Sequence, residues 1–216
     1  MENATAAAPQ PVLSLTKKDI TLVSLIGVSF ALFATPILTN LNLPFFKVSF
    51  MSVLFLIVFF LIFANIAIWI AALIGKKIPV IFQIAKFAAV GAFNTFLDWG
   101  IVNLLMAVTG LFFGIWYSLF NVISFLAANS GSYFWNKYWT FSSKDSSSAE
   151  GGFFQFFGVT LVGLIIKVGI ATIIVNFINH PASMTPARWA NVGLALGTLL
   201  ALVWNFVGYK FFVFKK

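Results

Sequence analysis

Residues 136–141 read Asn-Lys-Tyr-Trp-Thr-Phe, and residues 209–214 read Tyr-Lys-Phe-Phe-Val-Phe. In both segments a lysine stands two positions before a large aromatic residue and four positions before a final Phe. Each segment ends an apolar stretch long enough to cross a bilayer, which takes about 20 residues. The pattern therefore predicts a duplicated membrane unit with its two signature lysines on the same side of the membrane.

The composition supports an integral membrane protein. Of 216 residues, 61% are hydrophobic and only 8% are charged, whereas about 25% is usual for soluble domains. The absence of cysteine excludes a disulfide framework, a thiol nucleophile and Cys-ligated zinc. One histidine, His180, and five acidic residues leave little material for a metal site. We expect no enzymatic activity, cofactor or metal, and we attribute the net charge of +8 to topology and anionic lipid rather than to nucleic acid.

Charge-free stretches predict six transmembrane helices in an all-α fold. The predicted spans are near residues 20–40, 48–75, 83–108, 114–136, 153–178 and 188–211. Residues 1–18 are predicted to be a disordered cytoplasmic tail, 19–78 an additional two-helix N-terminal element, and 79–216 a four-helix domain. A polar linker, residues 142–152, divides this last domain into two halves.

The distribution of basic residues predicts that both termini are cytoplasmic. With this orientation Lys47 and Arg188 lie outside, and Lys167 belongs to neither face. The inner side then holds Lys17, Lys18, Lys76, Lys77, Lys86, Lys137, Lys144, Lys210, Lys215 and Lys216. Because positive charge accumulates on the cytoplasmic side, this bias favours a multi-pass membrane protein with both termini in the cytoplasm.

The two halves of the four-helix domain align with each other, and the alternative is a chance similarity between two hydrophobic hairpins. Residues 86–91 match residues 155–160 at an offset of 69, and the closing signatures match at an offset of 73. The predicted repeats span 82–141 and 153–214, and each contains two helices. An even number of helices makes the repeats parallel, related by an axis along the membrane normal. The resulting core resembles the bundles of small multidrug transporters.

Three short motifs carry a resemblance to a known family. They are Lys86-Phe87-x-x-Val90-Gly91-x-x-Asn94-Thr95, then Asn136-Lys137-x-Trp139-Thr140-Phe141, then Trp204-Asn205-Phe206-x-x-x-Lys210-x-x-Val213-Phe214. In this order and spacing the chain resembles the GtrA-like family of four-helix bacterial membrane proteins over roughly 82–214. The resemblance implies a role in cell-surface polysaccharide synthesis or glycosylation, including that of teichoic acids. It also implies movement of polyprenyl-phosphate-linked sugars across the membrane.

Lys137 and Lys210 are the first candidate site residues. Both are predicted at the inner headgroup level, where a lysine is a flexible point-charge donor for a lipid phosphate. Asn136 and Asn205 lie close by in sequence and offer amides to phosphate or sugar oxygens. Trp139, like Trp135 and Trp204, offers a ring for stacking on a sugar. The competing interpretations are snorkelling lysines, packing amides and an aromatic belt at the membrane interface.

Asp98 and Lys167 are the second candidate pair. Each stands twelve residues into its helix, about 18 Å, near the middle of a ~30 Å hydrocarbon core. Because an unpaired charge at that depth is costly, we expect the two to contact each other. The contact is interpreted as a structural ion pair, as part of a polar path, or as a proton-coupling site on Asp98. Asn94 and Asn129 would line the cytoplasmic side of such a path or pack helices together.

The function that follows is translocation of a polyprenyl-phosphate-linked monosaccharide, with membrane lipid as the surrounding partner. A homodimer would enclose the path if six helices are too few. One alternative is a small proton-coupled cation exporter with Asp98 as its carboxylate. The other is a scaffold that recruits a membrane glycosyltransferase without transporting anything. The Gly193 and Gly197 pair is predicted to mark close helix packing or dimerisation.

Overall fold

The computed structural model describes residues 15–140 and 149–208. This part of the chain is entirely helical apart from its connections. The six long helices are α1 Lys17–Leu41, α2 Phe50–Gly75, α3 Pro79–Thr109, α4 Gly114–Trp135, α5 Ala149–Phe177 and α6 Pro186–Gly208. A π-helical turn, Asn136–Thr140, continues directly from α4.

The helix boundaries follow local signals in the sequence. Capping boxes start α1 and α2: Thr16 pairs with Asp19, and Ser49 pairs with Ser52. Pro79 stands at the start of α3, where its missing N–H costs nothing. Gly110 ends α3 with φ +70°, a left-handed conformation that favours glycine.

The predicted spans agree with the observed helices to within four residues at every end that the structure describes. The predicted tail extends to residue 18, but α1 already begins at Lys17. The predicted polar linker extends to residue 152, but α5 begins at Ala149. Residues 1–14, 141–148 and 209–216 lie outside the described part, so the predictions made for them are not compared.

Two hydrophobic clusters hold the bundle together. The first joins the N-terminal helices to the family-like part through Val23, Ile68, Phe82 and Trp139. The second is centred on α3, α4, α5 and α6 and contains the residues Val102, Met106, Tyr117, Ala171 and Leu194. Helix α1 packs on α2 and α3, while α5 packs on α6 and α4 bridges α3 and α5.

The described helices confirm an all-α integral membrane protein. Among these residues, α1, α2 and α3 and the segments Phe157–Phe177 and Pro186–Asn205 are long and apolar enough to cross a membrane. Helix α4 was predicted as a span too, but it is not one of these five, since Asn121, Asn129 and several serines make it more polar. Exposed Phe55, Phe59 and Phe63 give α2 an apolar outer face suited to lipid.

Candidate functional site

A buried ion pair lies at the centre of the four C-terminal helices. The Nζ of Lys167 in α5 lies 2.7 Å from Oδ1 of Asp98 in α3. The Lys167 side chain is 1% exposed and that of Asp98 is 8% exposed. Ser124 of α4 also donates a hydrogen bond to Asp98 Oδ1, at 2.5 Å. The contact predicted between Asp98 and Lys167 is therefore present, and it is shielded from solvent by the surrounding helices.

Helix α6 packs closely against the backbone of α5 beside the ion pair. At Gly197 of α6 a Cβ atom would lie 2.5 Å from the backbone oxygen of Lys167. Gly197 corresponds to Ser124 at the signature offset of 73, just as Lys167 corresponds to Asp98 at the offset of 69. The equivalent residues Asp98 and Lys167 contact each other, as is expected of residues that lie beside a two-fold axis. Gly193 likewise packs against Val175 and the Ala171 oxygen, which confirms close helix packing at this glycine pair.

Three asparagines in helices α3, α4 and α6 have buried side-chain oxygens. Within the described residues, Oδ1 of Asn94, Asn121 and Asn205 has no hydrogen-bond partner. Asn205 Oδ1 faces Gly163, where an added Cβ would lie on top of it. Since a buried acceptor without a donor is costly, these oxygens are suited to accept hydrogen bonds from a polar molecule entering the bundle.

The side chain of Asn129 forms a hydrogen bond within its own helix. Its amide nitrogen donates to the Phe125 backbone oxygen of its own helix, at 2.9 Å. The side chain is half-buried. This bond satisfies one donor locally, so Asn129 is a weaker candidate than Asn94 for lining a polar path.

A second polar layer joins α1, α3 and α6. Asn40 and Asn191 each donate to Asn103 Oδ1 at 2.9 Å, and Asn103 returns a bond to Asn191 Oδ1. Nearby, the Trp99 indole donates to the Thr198 hydroxyl at 3.0 Å. This network binds the added helix α1 to the other two, and these asparagines therefore have a packing role.

The helix ends define two ends of the bundle. The lysine-rich end carries Lys76, Lys77 and Lys86. The opposite end carries Arg188, whose guanidinium donates to the backbone oxygens of Leu41 and Asn42 at 2.7 and 2.5 Å. These are carbonyl groups at the C-terminal end of α1, where a cation is favourable.

Asp19 accepts several hydrogen bonds at the lysine-rich end, and the sequence did not identify it as a site residue. Its Oδ1 lies 2.6 Å from Lys86 Nζ and accepts a hydrogen bond from the Trp139 indole at 2.8 Å. Its Oδ2 accepts from the Thr16 amide and hydroxyl. The available signal was the capping-box spacing of Thr16 and Asp19 in a chain with few carboxylates. Nothing in that spacing identifies Lys86 as the partner.

The position of Trp139 requires a correction. The side chain was predicted to stack on a sugar ring or to lie in an interfacial belt, but it is 3% exposed. It packs edge-on against Trp135, with ring centroids 5.9 Å apart, and it donates to Asp19. In this structure neither stacking on a sugar nor exposure to the interface is open to it, because helix packing covers the ring.

The signature lysines are not placed by the structure. The side chains of Asn136 and Lys137 and all of Lys210 lie outside the described part. Their predicted phosphate-binding role stays a prediction. Of the tryptophans beside them, Trp204 donates its indole N–H to the Val159 backbone oxygen at 3.0 Å, which ties α6 to α5.

Two further observations bear on the alternatives. Within residues 15–140 and 149–208, no group of three or more His, Cys, Asp or Glu side chains is arranged to hold a metal ion. Asp98 already contacts Lys167, whose Nζ lies 2.7 Å from its Oδ1. A proton-coupled cation exporter requires an intramembrane carboxylate that can bind the cation, and this pairing disfavours such a role for Asp98.

Comparison with known proteins identifies the family. The model of the family described as GtrA/DPMS, transmembrane domain, matches residues 86–214, more than half of the chain. The protein therefore belongs to the GtrA/DPMS transmembrane-domain family, whose members function in processes that involve polyprenyl-phosphate sugars. Neither the curated proteins nor the solved structures contain a match. The matched region begins at Lys86, so it includes neither α1 nor α2.

Proposed function

We propose that the protein moves a polyprenyl-phosphate-linked monosaccharide from the cytoplasmic to the outer leaflet of the bacterial cytoplasmic membrane. The observation that carries this proposal is the buried polar axis inside the family-matched helices. It consists of the Asp98–Lys167 pair and the partnerless oxygens of Asn94 and Asn205. A purely structural four-helix bundle would gain nothing from leaving such acceptors unsatisfied.

The proposed orientation places the lysine-rich end in the cytoplasm, following the positive-inside rule. In this proposal Lys137 and Lys210 capture the lipid phosphate there, because lysine is a point-charge donor suited to phosphate. Asn94 lies eight residues from Lys86 along α3, and Asp98 lies four residues further. At 1.5 Å per residue, these steps bring the headgroup about 12 and then 18 Å into the membrane.

The ion pair acts as a closed gate in this mechanism. The two hairpins, α3–α4 and α5–α6, are held together by Asp98 and Lys167. Separating two buried charges is costly unless another charge replaces one of them. An entering phosphate supplies a negative charge for Lys167, and Asp98 keeps the bond from Ser124 and accepts further bonds from hydroxyls of the sugar. The prenyl chain stays in the lipid. The gate thus opens when the substrate is present.

A transport experiment tests this proposal directly. The full chain is reconstituted into vesicles that contain a polyprenyl-phosphate monosaccharide, and impermeant periodate oxidises the sugar exposed outside. We expect the protein to bring the inner-leaflet sugar within reach of periodate during the assay. Protein-free vesicles should expose only the outer-leaflet sugar. A labelled phosphatidylcholine should not move faster, since general lipid scrambling would also expose the sugar.

The outcome also separates the alternatives. If no sugar moves with any of several monosaccharides and a glycosyltransferase copurifies from native membranes, the scaffold interpretation replaces transport. If the protein instead drives pH-dependent efflux of an organic cation, the exporter interpretation replaces it.

The signature lysines give a separate binding prediction. Replacing both Lys137 and Lys210 by Gln should abolish binding of a labelled polyprenyl phosphate, with insertion into membranes unchanged. Each single substitution should weaken binding about tenfold, because one charge-assisted bond to a phosphate is lost. The measurement is equilibrium binding in lipid nanodiscs.

The matched control is the double substitution Lys76→Gln and Lys77→Gln. It removes the same charge from the same end but lies outside the family match. Binding should be nearly unchanged in this control. If both double variants lose the same affinity for polyprenyl phosphate, general surface charge explains the effect. If binding is unchanged without Lys137 and Lys210, the capture role is refuted.

A further inference from the structure

The carboxylate of Asp19 is surrounded by hydrogen-bond donors. Oδ1 accepts from Lys86 Nζ at 2.6 Å and from the Trp139 indole at 2.8 Å. Oδ2 accepts from the Thr16 hydroxyl at 2.7 Å and from its amide at 2.9 Å. Asp19 is only 2% exposed. The surroundings therefore form an anion-binding site whose anion is a side chain of the same protein.

The donors and the acceptor belong to different parts of the chain. Lys86 and Trp139 lie in the family-matched region, residues 86–214, whereas Asp19 belongs to the added N-terminal helices. The Lys86 side chain is 12% exposed. A nearly buried ammonium group needs a negative partner, since burying an unpaired charge is costly. Without Asp19, an anion from elsewhere has to serve Lys86 and Trp139.

Two further features accompany these donors, one in space and one in sequence. Lys86 Nζ lies 4.4 Å from the Phe82 ring centroid, so the ammonium group is held in place by an aromatic face. Thr140, next to Trp139, is 6% exposed, and its hydroxyl has no partner among the described residues. Both Trp139 and Thr140 stand on the π-helical turn, an element that often occurs at functional sites.

We propose that Lys86 and Trp139 form a binding site for a phosphate group at the lysine-rich end, and that Asp19 occupies it in this structure as an internal competitor. The proposal builds on the proposed function and assigns a second phosphate contact besides the signature lysines. An ammonium and an indole N–H are donors suited to the acceptor oxygens of a phosphate. The ligand chemistry is shared by a lipid phosphate and free inorganic phosphate.

Occupation by a phosphate requires Asp19 to withdraw. The same carboxylate closes the capping box of α1 through Thr16. Withdrawal therefore removes the bonds that Oδ2 accepts from the Thr16 amide and hydroxyl, whereas the bond from the Asp19 N–H to Thr16 Oγ1 does not need the carboxylate. The start of α1 is weakened as a result. Binding of phosphate and the start of α1 are coupled through one side chain.

The decisive variant is Asp19→Asn in the full chain. Asn keeps the shape of the side chain but loses the charge that competes for Lys86. In nanodiscs we expect polyprenyl phosphate to bind on the order of tenfold more tightly than to the wild type. Adding Lys86→Gln, or Trp139→Phe to remove only the indole donor, should reverse this gain. Glu150→Gln, which removes the same negative charge at another position of the chain, should not produce it.

A parallel titration with inorganic phosphate identifies the source of the ligand. A gain for either probe that depends on Lys86 supports the site, and the probe with the larger gain names the ligand. If Asp19→Asn lowers the unfolding temperature but strengthens neither probe, Asp19 is only a structural clasp and the proposal is overturned. If Asp19→Asn is too unstable to purify, Asp19→Gln replaces it, since Gln is a favoured residue at this position of a capping box. Asp19→Gln also removes the competing charge, so unchanged phosphate affinity overturns the proposal.

The failure of this proposal is distinguishable from failure of transport. Periodate accessibility of the sugar in vesicles tests transport by the wild type. Phosphate affinity of Asp19→Asn tests the site. If the wild type moves no sugar but Asp19→Asn binds phosphate more tightly, the proposed function is refuted and the phosphate site is supported.

Discussion

Replacing Lys167 by Met should lower the free energy of unfolding by about 3–5 kcal/mol, because it leaves the buried Asp98 carboxylate without its counter-charge. Only Ser124 would remain to donate to that carboxylate among the contacts described. For a chain of this size the loss corresponds to roughly 10 °C in unfolding temperature. Thermal unfolding of the purified protein in detergent, followed by tryptophan fluorescence, measures it.

The double variant Asp98→Leu with Lys167→Met is the control for this prediction. It removes both charges, so neither is left buried and unpaired, and it should be much more stable than Lys167→Met alone. An unchanged unfolding temperature for Lys167→Met would contradict the buried pair. A double variant that is stable and still exposes sugar at the wild-type rate would show that the pair holds the hairpins together without gating a path.

The second large effect is expected at Gly197. An alanine there would place its Cβ 2.5 Å from the Lys167 backbone oxygen and 3.3 Å from the Ala171 Cβ. A backbone atom cannot rotate away as a side chain does, so α5 and α6 have to move apart, at a cost of about 1–3 kcal/mol. The same movement displaces Lys167, and we expect transport to fall together with thermal stability.

Gly169→Ala is the matched control on the neighbouring helix. No described atom lies within 4 Å of the Cβ that this substitution adds. Alanine in a helix interior is favoured over glycine by roughly 0.5–1 kcal/mol, so the change should be neutral or slightly stabilising. The two substitutions are chemically identical and should have opposite signs in thermal unfolding. The same sign at both positions would contradict the close packing of α5 on α6.

Much of the fold was predictable from the sequence because it depends on local or repeated patterns. The helix positions follow from charge-free lengths that must satisfy the backbone inside lipid. The Asp98–Lys167 contact follows from two repeat positions at equal depth. The close packing at Gly193 and Gly197 follows from their spacing. Each of these inferences needs only distances along the chain.

The rest depends on how unlike segments pack together, and no pattern along the chain contains that information. The repeat places Trp139 at a helix end, but it does not show that Asp19, 120 residues earlier, covers it. The link between Asn40, Asn103 and Asn191 joins three helices with no common spacing. The added helices lie outside the repeat, so their contacts had no internal counterpart from which to predict them.

Helix α1 is fastened at both of its ends to different hairpins. At one end Asp19 holds Lys86 of α3 and Trp139 of the turn after α4. At the other end Arg188 of α6 holds the Leu41 and Asn42 oxygens. A rigid helix of 25 residues spans about 38 Å. Helix α1 thus links the two hairpins over a fixed distance. We expect the hairpins to move apart only after the contacts of Asp19 or those of Arg188 are broken.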